Sequence, residues 1–199
     1  MRFTLSSLVS TLALAFAAAS AVPLEARQNA LKPFEVTAAV YNNYNGRPGS
    51  YPWTMIRANV TDPNSYTFTE GNLVGTVPAG IQGVNCLAQW YIGEYSEGRT
   101  YPCDRAEKGH WAVQVYAGTQ GEFWGSDFKL KFIHVVEPGL MIQSFRGRIE
   151  GEAFFTAGVN GTTSYSCSAS GTCSAGLKKE REFMTLQSLK AKNDTDHLQ

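Results

Sequence analysis

Two pairs of glutamates hold the residue types that could do acid–base chemistry. Glu94 and Glu97 lie in Glu94-Tyr95-Ser96-Glu97-Gly98. Glu150 and Glu152 are two apart, which puts both on one face of a strand. Glycoside hydrolysis needs two carboxyl groups set across a groove, one as acid and one as base or nucleophile. Spacing in sequence does not set that separation, and the plainer reading is solvated loop and strand-face charge.

The other reactive types are sparse. His134 falls in phase with Phe128, Leu130 and Phe132, which marks a hydrogen-bonded structural histidine on an inner face rather than a base. His110 is out of phase with Trp111, and His197 lies in the polar end of the chain. No Gly-x-Ser-x-Gly elbow, His-Glu-x-x-His zinc signature, phosphate loop or dinucleotide fingerprint occurs. The sequence therefore predicts no catalytic residue, no metal and no cofactor.

Aromatic residues offer a different function. Tyr41, Tyr44, Tyr51 and Trp53 crowd a Gly/Pro-rich segment. Exposed rings of this kind stack on sugars or anchor a protein partner. These four are the expected partner-binding residues.

The cysteines and the first residues point to the compartment. Arg2 precedes an apolar run from Leu5 to Ala19, and Ala19-Ser20-Ala21 has the small residues of a cleavage site. The pattern predicts a signal peptide over 1–21, with a further cut after Arg27, and thus an extracellular protein. Cys86, Cys103, Cys167 and Cys173 all follow it. Four cysteines in an oxidising compartment read as two disulfides. Three pairings exist on paper; Cys86–Cys103 and Cys167–Cys173 are favoured because each is local and spans turn residues. Neither pair has zinc-ligand spacing. Asn59, Asn160 and Asn193 each begin an Asn-x-Thr sequon, making them surface candidates for glycosylation.

These residues must be positioned by strands. Trp111, Val113, Val115 and Ala117 alternate with smaller or polar residues, and Phe128, Leu130 and Phe132 alternate with Lys129 and Lys131. Further strands are expected over Phe34 to Val40, Trp53 to Val60, Val84 to Ile92 and Leu140 to Phe145. Weaker signals cover Ile149 to Phe155, Ser164 to Cys167 and Glu182 to Leu186. The chain has 19 glycines and 8 prolines, and breakers sit between the strands, as in Asn45-Gly46-Arg47-Pro48-Gly49 and Asp62-Pro63-Asn64. The expected fold is all-β: one compact antiparallel β-barrel or sandwich over 28–186, stapled by two disulfides. Residues 187–199 are polar and read as a disordered tail, in which Leu186 and Leu189 could start a short helical turn.

With 17 basic and 17 acidic residues, the chain has no basic excess for nucleic acid. After the leader, no apolar run is long enough to span a membrane. The partners expected from the exposed aromatic residues are an extracellular protein or a polysaccharide.

The order of elements resembles the Alternaria major-allergen family of fungal secreted proteins. The likeness rests on Pro23-Leu24-Glu25-Ala26-Arg27-Gln28 after the leader, then the Trp53 to Val60 strand and Asn85-Cys86-Leu87-Ala88. Tyr101-Pro102-Cys103, two alternating strands and Cys167 to Cys173 around Ser170-Gly171 complete it. It covers most of residues 34 to 186. It implies a cysteine-bridged β-barrel without known catalytic residues. It also implies an effector, elicitor or allergen acting in the host apoplast or cell wall on a plant defence protein. The family archetype has an extra cysteine near its mature N-terminus that links two subunits. This chain has none before Cys86, so a monomer or non-covalent dimer is expected.

Overall fold

Alternation at period two explains the strongest strands. In the segment Trp53–Asp62, the side chains of Thr54, Ile56, Ala58, Val60 and Asp62 are buried, and the residues between them face outward. In Asp127–Val136, Phe128, Leu130, Phe132, His134 and Val136 point inward while Lys129 and Lys131 point out. The computed structural model describes residues 31–70, 72–95, 97–137 and 147–178, and the backbone of 183–184 and 186–190.

In chain order the strands are β1 (Glu35–Asn43), β2 (Trp53–Asp62), β3 (Tyr66–Glu70), β4 (Leu73–Val77) and β5 (Ile81–Tyr91). There follow β6 (Thr100–Pro102), β7 (His110–Ala117), β8 (Asp127–Val136) and β9 (Gly147–Thr156). The last are β10 (Thr163–Cys167), β11 (Cys173–Leu177), β12 (Phe183–Met184) and β13 (Leu186–Lys190). The first sheet runs β10-β11-β1-β2-β5, with β12 also on β1. The second runs β13-β9-β8-β7-β6, and β3 and β4 form a separate hairpin. All strand pairs are antiparallel. The described residues contain no helix and no closed barrel.

One core cluster draws side chains from both sheets. Phe34, just before β1, packs edge-on against Trp111 of β7 at 5.0 Å. Tyr41 of β1 packs on Phe128 of β8, which stacks on Phe155 of β9. Gly83 of β5 is required by this closeness: a Cβ there would stand 2.8 Å from the Trp111 ring and 2.9 Å from Val60. One irregularity shapes the first sheet. The β2–β5 register shifts between Ala58 and Val60. Asn85 adopts φ 51° there, a left-handed conformation that asparagine tolerates better than most residues. Its N–H donates to Asn59 Oδ1 at 2.9 Å.

Both disulfides form with the expected pairing, Cys86–Cys103 and Cys167–Cys173. The first ties β5 to the residue following β6, and the second closes the β10–β11 hairpin. A loop of the first length stabilises the fold by about 3 kcal/mol in the chain-entropy model.

Several boundaries differ from the sequence reading. Strands β3, β4, β6 and β11 were not expected. Sequences such as Cys173-Ser174-Ala175-Gly176-Leu177 carry too few apolar residues to show alternation. The tail expected from 187 is corrected at its start, because β13 continues to Lys190 by pairing with β9. The ladder there is backbone pairing, Leu189 opposite Ile149, and not the helical turn expected around Leu186 and Leu189. The strand expected over Leu140 to Phe145 lies outside the described residues, as do the leader and residues 191–199.

Candidate binding face

The period of two that buries Ile56 and Ala58 turns Trp53, Met55, Arg57 and Asn59 outward. On β5 the same rule buries Cys86, Ala88 and Trp90 and leaves Leu87, Gln89 and Tyr91 outside. Register then places Trp53 opposite Tyr91 and Met55 opposite Gln89. The Trp53 and Tyr91 rings meet edge-to-face at 5.8 Å and remain 38% and 47% exposed. Tyr51, 45% exposed, accepts a hydrogen bond from Gln89 Nε2 at 3.2 Å and packs against Tyr44 at 5.1 Å. Four rings thus gather at one end of the outward face of the first sheet.

The strand positions beside them are neutral. Asn42 of β1 pairs with Met55 on one side and Ser174 on the other, and Ser174 pairs with Ser166. Arg57 stands on the next outward rung, while Arg47 in the β1–β2 loop and Glu94 after β5 border the patch. Asn45 fixes that loop. Its Oδ1 accepts from Arg47 N–H and Ser50 Oγ–H, and its Nδ2 donates to Ser170 O in the disulfide-closed hairpin tip.

Of the four aromatic residues expected to bind a partner, three lie on this face. Tyr41 is the exception and is corrected: it is 4% exposed, in the core, with its phenol pushed up to about 12 chiefly by burial. It shares inward phase with Ala39, whereas Tyr44 is an odd number of residues away. Tyr91 was missed, although its alternation against Trp90 was readable.

The expected carboxylates lie elsewhere. Glu150 and Glu152 share the outward face of β9, as their spacing predicts. Glu150 binds Lys131 Nζ at 2.6 Å and Arg148 at 2.8 Å, and Glu152 binds Lys129 Nζ at 3.1 Å. Burial raises the Glu150 carboxyl pKa, but Lys131 and Arg148 together outweigh it and hold the group below its ordinary value. Lys129 also lies 5.0 Å over the Tyr116 ring. Glu97 accepts from Ala117 N–H at 3.1 Å, and Glu94 is exposed.

A histidine–carboxylate dyad, His134 with Asp62, is sealed. His134 Nδ1 and Asp62 Oδ2 are 2.8 Å apart, with both side chains at 0% exposure. Tyr66 Oη also donates to Oδ2, and Asn64 donates to Oδ1 through its backbone N–H and its Nδ2. Burial, the Asp62 charge and that hydrogen bond raise the Tyr66 pKa. Trp111, opposite His134 in the β7–β8 register, stacks on it at 4.1 Å and 4°. His134 Nε2 and Trp111 Nε1 have no hydrogen-bond partner among the described residues. A dyad with no exposed atom holds sheets together; a substrate has no route to it. His134 was read as a hydrogen-bonded histidine on an inner face, as found, whereas Asp62, Asn64 and Tyr66 were missed because Asp62-Pro63-Asn64 reads as a turn.

Asn160 is exposed in the β9–β10 loop, and Asn59 is half-buried on the outward face of the first sheet. Asn193 lies outside the described residues. Among those residues, no group of three or more His, Cys, Asp or Glu side chains could hold a metal. No protein-family model, curated protein or solved structure matches the chain.

Proposed function

We propose that the chain is a non-catalytic, secreted effector that acts at the host interface by binding. Its scaffold is a β-sandwich of the first and second sheets, and its contact surface is the Tyr44–Tyr51–Trp53–Tyr91 face. The observation that carries this reading is four clustered rings on an open sheet face, three of them at least 38% exposed or on a loop beside it. Exposed apolar residues elsewhere include Leu73 and Val74 on β4, Phe154 on β9, and Trp124 and Val159 in loops.

Three further observations support it. Glu150 and Glu152 are held by lysine and arginine, the His134–Asp62 dyad is buried, and both disulfides suit an oxidising compartment. The sandwich is supported by sheets that hydrogen-bond separately yet share aromatic contacts across one core. The resemblance of strand and cysteine order to the Alternaria major-allergen family favours the same role.

The test is infiltration of oxidised protein into leaf tissue, with the oxidative burst as readout. A W53A/Y91A variant and a quadruple variant with Gln at Glu94, Glu97, Glu150 and Glu152 are compared, each first checked for folding by circular dichroism. The expected result is a burst that survives the glutamine substitutions and is lost with the two rings. No burst from the wild-type protein, or loss with the glutamines alone, overturns the proposal.

A further inference from the structure

We infer that the ligand of this face is a neutral, extended cell-wall polysaccharide, an inference that rests on the binding reading above and names its ligand. The chemistry of the face selects it. Pyranose rings present apolar C–H faces and hydroxyl edges. The first suit aromatic rings, whose faces are electron-rich; the second need short neutral donors and acceptors. Trp53 and Tyr91 supply rings on neighbouring strands, and Tyr51 and Tyr44 continue the cluster. Gln89, Asn42, Ser174 and Ser166 supply amides and hydroxyls on the adjoining rung, which crosses five strands.

Charge distinguishes this ligand from others. That rung, Ser166-Ser174-Asn42-Met55-Gln89 across the sheet, carries no ionisable group. A polyanion such as a pectic acid would call for several basic side chains, whereas Arg57 is the one basic residue on the outward positions of β2. Shape adds to this. Outward side chains on adjacent strands stand about 4.8 Å apart on a shallow surface, which suits a chain laid across strands rather than a small molecule in a pit. The Asn59 sequon is on the same face but six residues along β2, roughly 20 Å from Trp53, so a glycan there leaves the rings uncovered.

The experiment is affinity electrophoresis of the full oxidised protein through gels containing soluble β-glucan, xylan or polygalacturonate, at low and high salt. The inference expects retardation by a neutral polymer that salt does not weaken, and about tenfold weaker retardation for Trp53→Ala or Tyr91→Ala. Gln89→Ala, which removes an amide edge and the hydrogen bond to Tyr51 but keeps the Trp53–Tyr91 pair, is expected to weaken it less. Retardation only by polygalacturonate, or retardation that salt abolishes, overturns the inference. So does absence of retardation in every gel. If the leaf burst still depends on Trp53 and Tyr91 in that case, the binding reading stands and a protein partner replaces the polysaccharide. If the burst is also indifferent to those rings, both fail.

Discussion

Asp62 and Trp53 sit at opposite ends of β2 and face opposite ways. Asp62 is inside, and four donors converge on its two oxygens. Trp53 is outside, edge-to-face with Tyr91 and 38% exposed. The interior cluster contains the residue types of a catalytic dyad, and the exterior one contains residue types that usually build cores. Burial reverses both assignments. A carboxylate with saturated acceptors and no exposure contributes to stability, whereas uncovered rings held in place by a finished sheet are free to contribute to binding. The outer face of the second sheet is the intermediate case. Its Glu150 is buried between Lys131 and Arg148, and its other charges are partly covered and paired, leaving little for a partner.

The comparison breaks most directly at Asp62. Asp62→Ala leaves Tyr66, Asn64 and His134 donors buried without their acceptor. Truncating one partner of such a network costs about 3–5 kcal/mol, a large share of a domain's stability. Urea unfolding of this variant is expected to shift to a much lower midpoint. A midpoint like that of wild type would mean that the cluster is not the structural staple described here.

Gly83→Ala is next. The added methyl meets the Trp111 ring and Val60 at under 3 Å, and neither is the far end of a flexible side chain. Overpacking of this kind costs about 1–3 kcal/mol. Thermal unfolding measures it, and the Trp111 environment should change in near-ultraviolet circular dichroism. An unchanged spectrum and melting point would separate the sheets more than the structure does.

The legibility of these regions differs for physical reasons. β2, β7 and β8 were readable because large apolar residues alternate with other residues along the strand, and β9 gave a weaker signal. β3, β4, β6 and β11 are short or rich in Thr, Gly, Ser and Pro, and they are strands because a neighbour offers its backbone. The partner of Asp62 is 72 residues away, a separation no local pattern records. The aromatic segment was visible as a cluster, but period two was needed to send Tyr41 inward and Trp53 outward. Tyr91 joins them only through the β2–β5 register, which depends on the bulge at Asn85.

The ion-paired face yields a smaller and pH-dependent effect. The Glu150 pKa is lower in the folded protein than in the unfolded chain. Its contribution is therefore present above the unfolded value, near 4.3, and is lost as pH falls through the folded one. Glu150→Gln removes that contribution at neutral pH, about 1 kcal/mol for a partly screened pair. Urea midpoints from pH 7 to 3 are expected to fall more steeply for wild type than for the variant, so that the two curves converge in acid. Parallel curves would mean that Lys131 and Arg148 do not stabilise the charged form.

Trp53→Ala is expected to have the smallest effect on stability and is the sharpest test of the comparison. Its indole is 38% exposed, and its one close aromatic contact is the edge of Tyr91. Losing such a contact costs about 0.5–1 kcal/mol. A tryptophan retained for its share of the core would cost several times more, as Trp111→Ala should at full burial. The two variants are best measured side by side by urea unfolding. Near-equal losses would make Trp53 a structural residue at the margin of the core and remove the reason to assign it a ligand. A small loss for Trp53→Ala beside a large one for Trp111→Ala would mean that folding does not account for the exposed ring, and binding is what such a surface can do with it.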